Sequence, residues 1–472
     1  MKPAIRASHV RILSALCVLG ALSACHVGPD YVRPAIDMPG NYKEAGDWKP
    51  AQPADTRPRG KWWEIYADPT LNDLMEQANA RNLDIQADLA TYRQARAAAQ
   101  AARAGFLPTL TASGDATRSR SSSKIGNSFA LGLDASWEAD IWGKVSRGVE
   151  ASVATMQADA ATVEATRLST QASLAQDYFQ LRVTDATIAL QRETVANYER
   201  SLQITKNQLA VGIVTRADVA SAQTQLKSAQ ASLIDLGVTR AQLEHAVAIL
   251  VGKAPADFSL PASDAPSYAA NLPGLPAELP SALLERRPDV AAAERKVAAA
   301  NAQIGVAQAA FYPTLGLSTS GGYQNSRMAD LFDVPSQVWS LGASLAGTLY
   351  DGGLRSAQKQ EAIAGYDATV AQYRQTVLGA LQEVEDNLVA LQRLADEATV
   401  QDEAVQAALD AQKLAMDQYK AGTVTYSSVI VAQETANSAQ RTAMTLLGKR
   451  YSAHVLLIKG LGGDWQPDRQ GS

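Results

Sequence analysis

The sequence predicts a membrane protein of mixed α and β class, in which long antiparallel coiled-coil helices form one barrel and a few β-strands per chain form another. Three observations carry that expectation. From Lys144 to Gly212 there is no proline, and a seven-residue apolar column runs Val153, Ala160, Leu174, Leu181, Ile188, Val195, Leu202, Leu209, broken only at Arg167. From Leu354 to Gly422 the design returns in Val370, Val377, Val384, Leu391, Ala398, Val405 and in Leu381, Leu388, Ala395, Leu409, Met416. Ahead of each rod, the apolar period changes from helical to two.

A strict heptad on a 3.6-residue helix drifts unless helices supercoil, so each rod demands helical partners. At 1.5 Å per residue a rod of this length spans roughly 100 Å. The flanks repeat as well. Phe106-Leu107-Pro108-Thr109-Leu110 returns as Phe311-Tyr312-Pro313-Thr314-Leu315, and Val211-Gly212-Ile213-Val214-Thr215 as Ala421-Gly422-Thr423-Val424-Thr425. The chain is therefore a tandem internal duplication of a module of about 200 residues.

Taken in order, Lys2, Arg6 and Arg11 precede the apolar run Ile12 to Leu22 and the ending Leu22-Ser23-Ala24-Cys25. Charge, length and small residues give a signal peptide over 1–24, too short to span a bilayer as a helix. Residues 25–60, rich in Pro, Gly, Asp and Lys, read as an extended lipidated tether. The first repeat covers 61–253. A short helix starts at Pro69 with Asp68 as its cap, and a second starts near Asn82 with Asp84 in its first turn. The hairpin of this repeat lies at about 107–138: Phe129, Leu131, Leu133, Ala135 and Trp137 alternate with polar or small residues, while the strand from Leu110 to Thr117 is weaker. Arg118 to Asn127 reads as its polar tip. A proline-rich linker covers 254–280. The second repeat, 281–463, opens its helix with Pro288 and Asp289. Its hairpin, about 313–350, pairs Leu315, Leu317 and Thr319 with Trp339, Leu341, Ala343, Leu345 and Leu349, joined by a loop from Asn325 to Gln337. Residues 464–472 form a tail.

About nine alternating residues suffice for a tilted strand to cross a bilayer. Four such strands cannot close a barrel, and open edges are not tolerated in lipid, so the chain must oligomerise. Two copies give eight strands with a filled interior, and three give twelve strands and a wider bore.

Little in the sequence points to other chemistry. Charged residues are 19%, aromatics 6% and the net charge is -5, so no nucleic-acid partner is expected. The histidines are His9, His26, His245 and His454, without metal-ligand spacing, so no metal site is expected. No nucleophile elbow or phosphate loop is present, and Glu383, Glu385 and Asp386 read as a solvated or lumen-facing helix surface, so no enzyme is expected.

The residues that follow the signal, Cys25-His26-Val27-Gly28-Pro29-Asp30-Tyr31-Val32-Arg33-Pro34, resemble the start of the outer-membrane efflux lipoproteins of the OprM/NodT type, within the outer membrane factor family of the TolC superfamily. Trp62-Trp63, Trp137-Glu138-Ala139-Asp140-Ile141-Trp142-Gly143-Lys144, Leu283-Leu284-Glu285-Arg286-Arg287-Pro288-Asp289 and Leu461-Gly462-Gly463-Asp464-Trp465 continue it across nearly the whole mature chain. The resemblance implies a homotrimer with a twelve-stranded transmembrane barrel continued by a periplasmic α-barrel. That assembly is the passive exit duct of a tripartite efflux pump for drugs and other toxic small molecules, set in the outer membrane and reaching into the periplasm. Its implied partners are a periplasmic adaptor, an inner-membrane RND-type transporter and outer-membrane lipid. There is no cofactor beyond acyl chains on Cys25, the palmitate-bearing residue of a lipobox. The alternatives are a protein-secretion duct, disfavoured by the lipobox, and a lipid-anchored periplasmic coiled-coil scaffold, which needs no bilayer-length hairpins.

The resemblance also implies site residues. The turns at Gly212, Val214, Thr215 and at Gly422, Thr425 are expected to meet the adaptor, with glycine where a tight reversal favours left-handed φ. A latch at the periplasmic end maps onto Tyr419 and Asp218. The related arginine position holds Val424, and the acidic-ring positions hold Ser428 and Val431. The alternative reading of Tyr419 is a packing residue.

Overall fold

The computed structural model describes residues 26–36, 43, 60–121, 124–263, 272 and 287–463. The signal peptide, Cys25, most of residues 37–59, much of the 254–280 linker, residues 281–286 and the 464–472 tail lie outside the described residues.

After a 3-10 turn at Trp62–Tyr66 the elements are α1 (Pro69–Arg81), α2 (Leu83–Ala104), β1 (Thr109–Ser121), β2 (Lys124–Ala139), α3 (Lys144–Ala210), α4 (Arg216–Leu250), α5 (Pro288–Ala309), β3 (Thr314–Asn325), β4 (Gln337–Ala346), α6 (Leu354–Lys420) and α7 (Tyr426–Gly460). The repeat is metrical: α2 and α5 each have 22 residues, α3 and α6 each 67, α4 and α7 each 35. It reaches individual side chains. Gln191 Nε2 donates to the carbonyl of Ala229 at 3.0 Å, and Gln401 Nε2 to that of Ala439 at 2.9 Å.

Two compact units result, and they are not the two repeats. One comprises residues 1–36, 89–162 and 291–376, the other 37–88, 163–290 and 377–472, so each draws on both copies.

The first unit holds the sheet, antiparallel throughout in the order β1-β2-β3-β4. β1 runs to Ser121 and β2 starts at Lys124, with Arg118 paired to Asn127 and Arg120 to Ile125. The expected loop from Arg118 to Asn127 is therefore mostly ladder. Its serines and arginines hide the alternation because they are polar on both faces, yet the backbone pairs regardless. β4 ends at Ala346, three residues before the alternation does.

Residues 26–36 are extended, as a tether should be, but they are bonded along α3, α5 and α6. Val27 N–H donates to the Trp142 carbonyl at 3.2 Å, and Asn301 Nδ2 to that of Pro29 at 2.9 Å. The Arg147 guanidinium, 6% exposed, meets Asp30 at 2.7 Å, while Tyr31 donates to Glu294 and Arg33 to the Tyr373 hydroxyl. Gly28, at φ +99°, lies so close to α5 that a Cβ would come 2.5 Å from Gly305 Cα. The Gly-Pro-Asp-Tyr-x-Arg motif is thus a docking strap.

The second unit is cored by Trp62, Leu71, Met75, Leu174, Tyr178, Leu181, Val247, Tyr451, Val455 and Ile458. Asp68 caps α1 as expected, accepting from the amides of Thr70 and Leu71. Asn82 caps α2, its Oδ1 accepting from Asp84 and Ile85 N–H. His454 is buried and shares a 2.6 Å hydrogen bond with Tyr66. Glu383 is not free surface: it pairs with buried Arg287 at 2.7 Å and with Lys459 at 3.3 Å. The described start of the linker is clamped to α3 and α4. Asp185, 1% exposed, binds Arg240 at 2.7 Å and Arg182 at 3.2 Å, and those guanidiniums bond the carbonyls of Leu260 and Pro261.

Candidate functional site

The strand register sorts side chains onto two faces. One carries Leu110, Ala112 and Ala116 of β1; Phe129, Leu131, Leu133, Ala135 and Trp137 of β2; Leu315, Leu317 and Tyr323 of β3; and Trp339, Leu341 and Leu345 of β4. The other carries Thr111, Ser113, Asp115, Asp134, Ser136, Glu138, Ser318, Ser320, Gln324, Ser340 and Ser344, with Ser113 donating to Asp134 and Ser320 bonded to Ser340. Nothing among the described residues covers the apolar face: Trp339 is 82% exposed and Leu341 78%. An uncovered apolar face this large asks for lipid or a partner. Aromatics bracket the band. Near the helix junction Trp137 Nε1 donates to the Phe106 carbonyl, and Trp142 stacks on Tyr312 with centroids 4.7 Å apart. Toward the hairpin tips stand Phe129, Tyr323 and Trp339, and Tyr323 meets Phe332. Two such girdles flank the lipid band of outer-membrane barrels. Among the described residues no helix is long and apolar enough to cross a membrane.

In the second unit, the two helix reversals are built alike. Gly212 has φ +76° and Gly422 φ +74°, each closing its helix through hydrogen bonds to the preceding turn. A cluster of Tyr198, Leu202, Leu226, Tyr419, Tyr426 and Val429 packs beside them. Tyr419 is 5% exposed, its hydroxyl donates to Gln208 Oε1, and its ring lies 5.3 Å from that of Tyr426. Burial pushes both phenols up; the charge of Asp218 adds to this for Tyr419, and Tyr426 reaches about 12.

The chain matches the outer membrane efflux protein family over residues 74–253 and 279–463. It belongs to that family. It is 31% identical to the pyoverdine export outer membrane protein OpmQ of Pseudomonas aeruginosa, over 98% of both chains, and 30% identical to the toluene efflux pump outer membrane protein TtgC of Pseudomonas putida, over 96% of both. The solved outer-membrane channel OprN, 29% identical, superposes with a TM-score of 0.86, covering 94% of this chain and all of OprN. This outer membrane efflux protein therefore has the α/β channel fold. It is the outer-membrane duct of a tripartite efflux system and extends into the periplasm. The family is one of ducts, not of known enzymes.

The efflux protein places the expected site residues as follows. Gly212, Thr215, Gly422 and Thr425 are exposed at the reversals, with Val214 and Val424 half-buried against the cluster. Ser428 and Val431 are exposed, Val431 at 61%. Tyr419 and Asp218 are near enough to interact through charge, but within one chain each is hydrogen-bonded elsewhere. Asp218 closes a capping box: its Oδ2 accepts from Thr215 N–H and Oγ1–H, each at 2.8 Å, while its own N–H donates to Thr215 Oγ1. The signal was local and readable, Thr215-Arg216-Ala217-Asp218 ahead of a helix. Sequence reasoning missed Gln208, for which no local signal exists. Cys25 lies outside the described residues.

Proposed function

We propose that three copies of this chain close a twelve-stranded barrel, the passive exit for small molecules driven by an inner-membrane RND-type transporter through a periplasmic adaptor. The observation that carries it is the four-stranded sheet whose β1 and β4 each have one unpaired edge and whose apolar face is bare. In lipid, both features require closure by other copies. The pumps named for the relatives move cargoes as unlike as pyoverdine and toluene, which supports a duct with little chemical selection of its own and disfavours protein secretion. The small hydroxyl-rich face lines the bore in this reading, and no step of chemistry is assigned to it. The adaptor meets the exposed reversals at Gly212, Val214, Thr215, Gly422 and Thr425, and acyl chains on Cys25 anchor the strap to the membrane. Native mass spectrometry of detergent-solubilised protein tests the assembly: three chains are expected, and a stable monomer or a dimer overturns the twelve-strand barrel. Labelling with radioactive palmitate tests the anchor, and an unlabelled mature chain refutes it.

A further inference from the structure

On the apolar face of the sheet, the four strands carry no acidic residue; Asp115, Asp134 and Glu138 all sit on the opposite face. The same face carries two cations, Arg118 and Arg120, both exposed and both at the hairpin end of β1. They continue the row Leu110, Ala112, Gly114, Ala116, so they point to the same side as the lipid band and not into the bore. Arg118 lies nine residues past Thr109, the first residue of β1. At about 3.4 Å per residue that is roughly 30 Å along the strand, and a tilt of about 45° reduces it to roughly 22 Å of height. The apolar band of an outer-membrane barrel is about 25 Å tall. The two guanidiniums therefore stand at the upper edge of the band, Arg118 two residues beyond the Ala116–Phe129 pair and Arg120 two residues further. Their cross-strand neighbours, Asn127 and Ile125, offer them no charge. The acids of the β3–β4 loop lie beyond the strand ends, and Asp330 is already paired with Arg327 at 3.2 Å.

We infer that Arg118 and Arg120 form a phosphate-binding pair for the headgroup of an anionic, phosphorylated lipid of the outer leaflet, one pair per copy around the barrel. Arginine suits such a headgroup, because its planar fork takes phosphate oxygens two at a time and its charge persists at any working pH. Side chains two apart on one strand face are about 7 Å apart, a spacing that one headgroup with two phosphates, or two adjacent headgroups, can bridge. In lipid-facing positions a bare guanidinium is costly except at the interface, which is where the register puts both. The inference rests on the barrel reading above.

The test uses the full-length protein in detergent with bisphosphorylated lipid A and its dephosphorylated form as probes, scored by native mass spectrometry. Wild type is expected to retain the phosphorylated form in preference, and R118Q/R120Q to lose roughly thirty-fold in that retention. Each basic side chain at an anionic membrane surface contributes about a factor of five. Channel conductance of the variant should match wild type, since neither residue faces the bore. Equal retention of both probes by wild type overturns the site without needing any variant, and so does undiminished preference in R118Q/R120Q. Displacement of lipid A by millimolar inorganic phosphate would show a free-anion site and overturn the lipid assignment. Wild-type protein that neither trimerises nor conducts overturns the barrel reading itself, an outcome separable from loss of lipid preference in a conducting trimer.

Discussion

Tyr419→Phe should open the periplasmic end of the duct, and Asp218→Ala should not do so to the same degree. In each copy the Tyr419 hydroxyl bonds Gln208 and so ties the end of α6 to the end of α3. A neutral hydrogen bond of this kind contributes about 0.5 to 1.5 kcal/mol. Gln208 is half-buried and can turn to water when abandoned, which places the loss toward the lower half of that range. In the proposed trimer the loss sums to roughly 1.5 to 3 kcal/mol, a shift of about ten- to a hundred-fold in the opening equilibrium. Asp218, by contrast, spends its carboxylate on Thr215. Removing it costs a helix cap, about 1 kcal/mol of local stability, and no link between helical hairpins. Single-channel recordings in planar bilayers separate the two. Longer or more frequent openings are expected for Tyr419→Phe, and Gln208→Ala should reproduce them. Conductance of Tyr419→Phe indistinguishable from wild type would leave the phenol as a packing residue. Larger openings in Asp218→Ala than in Tyr419→Phe would show that Asp218 finds its partner in a neighbouring copy, and would refute its assignment as a cap alone.

Gly212→Val or Gly422→Val forces a β-branched residue into left-handed φ, and efflux in cells should fall sharply while membrane insertion, measured by fractionation, persists. Asp185→Asn leaves two guanidiniums without their shared anion and should cost roughly 3 kcal/mol, read as a lower unfolding midpoint; an unchanged midpoint would show that the clamp adds nothing to stability. Tyr426 titrates at about 12 in the fold against about 10 in an unfolded chain, so the fold favours its neutral form. That contribution is intact below pH 10 and lost between pH 10 and about 12, and Tyr426→Phe should blunt the alkaline fall in thermal stability across that window.

The parts of this fold that were legible in the sequence are those with a period. Both rods begin and end where the heptads do, because no proline interrupts them and a glycine at positive φ ends each. The second hairpin was legible because its apolar and polar residues alternate, and the upper end of the first was not, because Thr117, Arg118, Ser119 and Arg120 are polar on both faces. The strap was recognisable as a motif but not as a docked segment: Asp30 meets Arg147, and Tyr31 meets Glu294, across more than a hundred residues of sequence. Tyr419 and Gln208 are likewise brought together only by the fold. Glu383 looked solvated because its neighbours are polar, and Arg287, its buried partner, lies far upstream.

Where the two repeats agree and where they differ bears on how such a duct could close. Along the rods they agree down to single contacts, as Gln191 with Ala229 and Gln401 with Ala439 show. At the reversals they part: Leu209 corresponds to Tyr419, Arg216 to Tyr426 and Asp218 to Ser428. Within ten residues of the reversal only the second repeat carries phenols, and only the first completes a capping box, α7 having no side-chain cap. In a trimer, identical repeats would surround the bore with six equivalent helical hairpins, and any tightening would involve all six alike. Unlike tips make two classes of three, one with its helix start fixed by Thr215 and Asp218, the other tethered through Tyr419 to its neighbour. The substitutions that create this difference, Leu209 against Tyr419, Arg216 against Tyr426 and Asp218 against Ser428, fall within ten residues of each reversal.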